Sequence, residues 1–198
     1  MSQTEFSNTV TTSGYQAPTL AQYNAFSSQL PTGGITTTIE ACMFLANVIH
    51  ETGGLLLLRE SCSSNNCAGS YPCQGTCSNC PAGQYYYGRG YIQLSWCYNY
   101  MSASQALYND ERLYTNPDQV ASDENTAWAT AFWFWKANVH NQPGISAGEF
   151  GVSTRAINSM ECSPAAAPYS EAKNRYLIYQ NCFKACGLSN PIENGCYN

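Results

Sequence analysis

Residues 38–60 read TIEACMFLANVIHETGGLLLLRE. Ala41, Phe44, Leu45, Val48 and Ile49 recur at intervals of three and four, so the spacing predicts a helix from Thr38 to Glu51 with that stripe turned inward. Gly53-Gly54 ends it. Glu51 falls in the last turn, where a negative charge opposes the helix dipole, so helix propensity gives no reason for it. Glu60 stands nine residues further on, beyond four leucines, after Arg59 and ahead of a polar loop. Carboxylates at the two ends of an apolar run are costly to ionise unless something offsets the cost.

Working outward, most of the remaining chain also reads as helix. Leu20, Tyr23 and Phe26 share one side of a short helix after Pro18. Trp96 to Leu107 reads as a helix that ends before Asn109-Asp110. Asp123 caps a strongly helical stretch to Asn138, with Trp128, Ala131, Phe132 and Trp135 on one face. Val152 to Asn158 begins another helix, and Ser170 to Cys186 forms a long last one. Residues 1–16 read only as Ser/Thr-rich, and residues 61–83 and 143–151 as loop. The class is mainly α with long loops. No repeat, charge block or linker divides the chain, so 1–198 is expected to be a single domain.

Composition narrows the partners. Charged residues are 11% of the chain, aromatics are 13% with 15 tyrosines, and the net charge is −5. An acidic balance argues against nucleic acid, whose phosphates need a basic surface. A surface poor in charge and rich in Tyr, Trp, Asn and Gln suits a neutral polar ligand such as carbohydrate, although most of the aromatics belong to the core. No segment approaches the ~20 apolar residues of a membrane span. The first residues, MSQTEFSNTV, have neither a basic region nor an apolar stretch, so a mature or recombinant form is expected.

Five of the 11 cysteines fall between Cys62 and Cys80. That density points to disulfides and an oxidising compartment. A zinc site is the alternative, since Cys77 and Cys80 form a CxxC, but no second pair of suitable spacing follows and neither His50 nor His140 has ligand spacing. The count is odd, so one thiol stays free or pairs between chains. Cys42 and Cys97 lie in apolar segments and are the candidates for a buried free thiol.

The chemistry rests on the two acids. His50-Glu51 starts like the HExxH zinc helix, but position 54 is Gly. GQYYYGRGYIQL lacks the Lys-Ser/Thr of a phosphate loop. Cys97 with His140 has no recognisable nucleophile context. Glycoside hydrolysis, in contrast, needs one carboxyl that donates a proton and a second carboxylate that acts on the opposite side. Glu51 at the end of an apolar helix fits the donor, and Glu60 before a polar loop fits the ionised base. An ordinary surface role for each is the plainer reading of the spacing alone.

HETGG at 50–54, YYGRGYIQLSWCYNY at 86–100, NPDQVA at 116–121, AFWFW at 131–135 and TRAINSMEC at 154–162 stand in the order found in glycoside hydrolase family 19, the plant and bacterial chitinases. The chain resembles that family over roughly residues 6–198, with the short acid–base spacing of its loop-poor bacterial members. The resemblance implies a lysozyme-like, two-lobed α-rich fold around a central cleft. It makes Glu51 the general acid and Glu60 the general base, with Ser95 and Asn99 holding the attacking water and the sugar. Gln93 and Tyr98 would line the cleft, Asn158 would bind substrate, and Glu161 would tune the acid, with Arg175 paired to the carboxylates. It also implies a Cys162–Cys196 bridge and a bridge to Cys80, for which Cys73 is the first choice of partner. Two departures, Tyr91 in place of the usual Pro and Trp96-Cys97 in place of Asn or His, are expected to alter the cleft floor. The expectation is a secreted, monomeric, inverting endochitinase acting on chitin or another N-acetylglucosamine polysaccharide, without cofactor or metal. A lysozyme-like peptidoglycan hydrolase and a non-catalytic chitin-binding defence protein are the alternatives.

Overall fold

The computed structural model describes residues 1–62, 67, 69–74, 77, 79–165 and 169–197. Its helices are α1 Gln3–Thr12, α2 Leu20–Gln29, α3 Thr38–Glu51, α4 Cys97–Tyr108, α5 Arg112–Thr115, α6 Gln119–Ser122, α7 Glu124–Asn138, α8 Phe150–Ile157 and α9 Tyr169–Ala185. Short 3₁₀ turns stand at Leu30–Gly33, Ile145–Ala147 and Ser159–Cys162. Among the described residues, extended pairing is limited to the isolated bridges Arg59–Arg89, Arg89–Leu94 and Glu149–Ile192. No single described helix is long and apolar enough to cross a membrane.

Helix α3 is the axis of the molecule. Every residue from Glu40 to Ile49 is buried, so the inward stripe expected from the sequence widens to the whole circumference. One side meets α9, and its aromatic residues join a cluster with α2 and α7. Phe44 stacks on Phe132 at 4.3 Å and meets Trp135 edge-on at 5.4 Å. Phe26 and Phe6 extend the cluster to α2 and α1. Buried rings of this size supply most of the apolar area that leaves water. The Ser/Thr-rich start therefore holds a helix that the sequence reading left out. Its signal was the capping box, in which Glu5 N–H donates to Ser2 Oγ (3.3 Å) and Ser2 N–H donates to Glu5 Oε2 (2.5 Å). Asp123 caps α7 as expected, accepting from Thr126 N–H at 2.7 Å.

Past α3 the backbone turns through Gly53 and Gly54, both at positive φ. A Cβ at Gly54 would collide with the ring of Tyr15, so the turn requires glycine here. The four leucines divide: Leu55 is buried, Leu58 half-buried, and Leu56 and Leu57 are 59% and 63% exposed. The chain then pairs briefly with the segment around Arg89. Gly90 N–H donates to Leu58 O (2.9 Å) and Glu60 N–H to Gly88 O (2.8 Å). Arg89 fixes this segment from behind. It is buried, donates to Asp118 at 3.0 Å, and lies over the Tyr87 ring at 3.6 Å. Burial opposes ionisation of Asp118, but Arg59 and Arg89 hold its carboxyl below the ordinary range.

The cysteines form five disulfides: Cys42–Cys182, Cys62–Cys67, Cys73–Cys80, Cys77–Cys97 and Cys162–Cys196. The two members of the CxxC belong to different bridges. The free thiol is Cys186, which corrects the expectation that Cys42 or Cys97 stays unpaired. Both lie in apolar surroundings, yet each faces a partner brought by a distant segment, Cys182 on α9 and Cys77 in the loop.

Candidate active site

A cleft of about 630 Å³ opens between the end of α3 and the residues after α8 on one side and the 60–99 segment on the other. Glu51, Glu60, Gln93, Ser95, Asn99 and Asn158 all line it. Glu161 and Arg175 are buried behind its wall; Tyr98, expected to line the cleft, is not among its lining residues and is 37% exposed with its ring stacked on Trp96 at 6.2 Å.

Glu51 sits where the helix leaves the core, with 18% of its side chain exposed. Its carboxyl meets a cation rather than the leucines. Arg175 Nη2 donates to Glu51 Oε1 at 2.5 Å. The same guanidinium grips Glu161 with two bonds of 2.7 Å, through Nε and Nη2. Its remaining nitrogen donates to Asn47 Oδ1 at 3.3 Å. Asn47 in turn donates to Met43 O and Ser153 Oγ, both at 2.9 Å, and Asn158 donates to Glu161 Oε1 at 2.9 Å. Burial disfavours the charge on Arg175, but Glu51 and Glu161 outweigh it and hold the group above its ordinary range. Arg175 thus pairs with both carboxylates, Glu51 and Glu161. One buried positive charge is shared between two carboxylates.

His50, beside Glu51, is neutral. Burial and the charge of Arg175 push its pKa from 6.5 down to about 3. The contact of 3.6 Å with Glu171 works in the opposite sense, but it is long and Glu171 is half-exposed, so burial prevails. Asn174 Nδ2 lies 3.2 Å from His50 Nδ1, which accepts from it in the neutral tautomer. A depressed histidine pKa gives stability that is complete above the unfolded value and is lost as pH falls through it. Below 6.5 the unfolded chain binds a proton at His50 that the folded chain refuses until about pH 3. The loss over this window is about 1.4 kcal/mol per pH unit. Denaturant melts of the parent and His50→Gln from neutral down to about pH 4 should show the steeper decline in the parent, and parallel curves would refute a neutral buried His50.

Glu60 is held by neutral donors. Tyr71 O–H donates to Oε2 (2.8 Å) and lies 3.0 Å from Oε1, and Gly88 N–H donates to Oε2 (2.9 Å). A Cβ at Gly88 would lie 2.9 Å from Gln93 Oε1 and 3.3 Å from Glu60 Oε2, so a side chain there would crowd both groups. Gln93, at φ 51°, turns its amide back onto Gly90 O (3.0 Å). Ser95 Oγ donates to Gln93 O and Asn99 Nδ2 to Ser95 O, both at 2.9 Å. Trp96 lines the cleft, whereas Tyr91 is buried against Trp128 (3.9 Å between ring centres) and donates to Glu124 at 2.7 Å. Of the two departures from the family pattern, the tyrosine therefore serves the core rather than the cleft floor, and Cys97 is buried in its disulfide.

Sequence reasoning missed Tyr71, Asn47 and the cleft-lining Phe134, Ile157 and Met160. Asn47 carried a signal, as a polar residue inside an apolar helix. Tyr71 carried none, because it lies in an aperiodic loop.

Residues 8–162 match the family model described as "Chitinase class I", glycoside hydrolase family 19. Endochitinase CHI of Arabidopsis thaliana is 40% identical over 157 residues, 78% of this chain and 54% of that protein. Chitinase 1 of Oryza sativa subsp. japonica is 34% identical over 210 residues, 90% of this chain and 64% of that one. This chain thus spans about half to two thirds of the length of these relatives. Among solved structures, a family GH19 class IV chitinase from Zea mays superposes with a TM-score of 0.78 at 28% identity, covering 99% of this chain and 97% of that one. Chitinase C from Streptomyces griseus gives 0.73 at 32% identity, covering 95% and 93%. The α-rich fold, the cleft and the ordered motifs agree with these matches, and the chain belongs to glycoside hydrolase family 19, the class I chitinase family.

Proposed function

We propose that this protein hydrolyses β-1,4 bonds between N-acetylglucosamine units within chitin chains, by general acid and general base catalysis with inversion at the anomeric carbon. One observation carries the reading: Glu51 and Glu60 open onto the same cleft but in unlike surroundings. Glu51 lines the cleft beside Arg175 and Glu161 and, as the acid, passes its proton to the leaving oxygen. Glu60 is held by two neutral donors and, as the base, removes a proton from water on the other face. Ser95 and Asn99 hold that water and the sugar, Gln93, Tyr98 and Asn158 bind neighbouring sugars, and Glu161 with Arg175 tunes the acid. The names of the relatives, endochitinases and chitinases, support chitin as the polymer. The described disulfides support an oxidising, extracellular setting. We read the chain as one catalytic domain acting as a monomer.

Inversion requires room for water, with the carboxyls ~6.5–9.5 Å apart once sugar is bound; retention would need ~5–5.5 Å. The expected result on N-acetylglucosamine oligomers is an initial product of α configuration, read by proton NMR before mutarotation. An initial β product would eliminate the mechanism. Release from peptidoglycan but not from chitin oligomers would eliminate the substrate.

A further inference from the structure

Glu51 and Glu60 are stabilised by different means. Glu51 has a cation, whereas among the described residues no Lys, Arg or His forms an ion pair with Glu60. The groups that satisfy the Glu60 carboxylate are Gly88 N–H, on Oε2 at 2.9 Å, and Tyr71 O–H, 2.8 Å from Oε2 and 3.0 Å from Oε1. The nearby sulfurs of Cys62 and Cys67 are joined in a disulfide and carry no charge. Oε2 thus receives two donors. The Ser95 hydroxyl lies near the Tyr71 phenol, and Ser95, Tyr71 and Glu60 line the same cleft.

We propose that Tyr71 is a positioning residue for the hydrolytic step, fixing the plane of the Glu60 carboxylate beside Ser95. The inference rests on reading Glu60 as the general base. Its geometry is well supported. The ring stands edge-on against Trp96 at 5.3 Å, and the backbone is held two residues later by the Cys73–Cys80 bridge. Burial, and then the hydrogen bond to Glu60, push the phenol pKa up to about 12, so the group remains a donor at any pH at which the fold works. A hydrogen bond to an ionised group is stronger than one between neutral partners, so losing it costs both orientation and charge.

The test compares Tyr71→Phe and Glu60→Gln with the parent on N-acetylglucosamine oligomers. Tyr71→Phe keeps the ring against Trp96, and unchanged circular dichroism and melting verify its fold. The expected result is a kcat lower by about tenfold, the scale of one hydrogen bond to a charged group, with KM changed by less than about twofold. Packing alone would alter KM or melting and leave kcat near that of the parent. An inactive Glu60→Gln together with a Tyr71→Phe kcat that coincides with the parent overturns the role of Tyr71. An active Glu60→Gln overturns the assignment of the base itself, and the inference with it.

Discussion

Glu51→Gln is expected to lower turnover by ~10²–10⁴, the usual contribution of general acid–base help, while oligomer binding persists. The amide keeps the shape of the carboxyl and can still accept from Arg175 Nη2 through its oxygen. It cannot deliver a proton to the departing oxygen. The buried pair of Arg175 and Glu161 is left balanced, one charge against one, so the fold should not suffer. Turnover within tenfold of the parent would remove Glu51 from the role of acid. Calorimetry with a chitin oligomer separates this from lost binding: affinity should stay near that of the parent.

The second large effect concerns the bridge between the two helices that carry the acid and its arginine. Cys42–Cys182 closes a loop with a sequence separation of 140. In the chain-entropy account a closed loop of this size contributes about 5 kcal/mol. Cys42→Ser should therefore lose most of that, read as a lower denaturant midpoint. Cys182→Ser should lose much less, for a reason specific to this molecule. Cys186 lies four residues further on, just past the end of α9, and its sulfur is 3.7 Å from that of Cys42. Cys186 can take the vacated partnership when the variant folds under oxidising conditions. Adding Cys186→Ser to Cys182→Ser should bring stability down to that of Cys42→Ser. Equal losses in Cys42→Ser and Cys182→Ser would show that Cys186 does not substitute.

What the sequence determined by itself is local. The periodicity of Thr38–Glu51 and of Glu124–Asn138 required two core helices, and Gly53-Gly54 required a turn that leaves Glu51 at a helix end. These features are legible because the residues that cause them are neighbours along the chain, three or four apart or next to a cap. The paired acids were legible too, once the surrounding motifs were read in order. The tertiary structure decided the rest. Arg175 reaches Glu51 across 124 positions, and the distance along the chain does not reveal that one guanidinium is shared by two carboxylates. Cys42 and Cys97 look like buried thiols until α9 and the cysteine-rich loop bring Cys182 and Cys77 against them. Tyr71 acquires meaning only when an aperiodic loop folds over Glu60, and His50 is neutral because the packed chain buries it and α9 brings Arg175 beside it. Hydrogen bonds, disulfides and charge coupling act over a few ångströms in space. Local pattern shows which surfaces must be buried, and only the packed chain fixes which polar groups then meet.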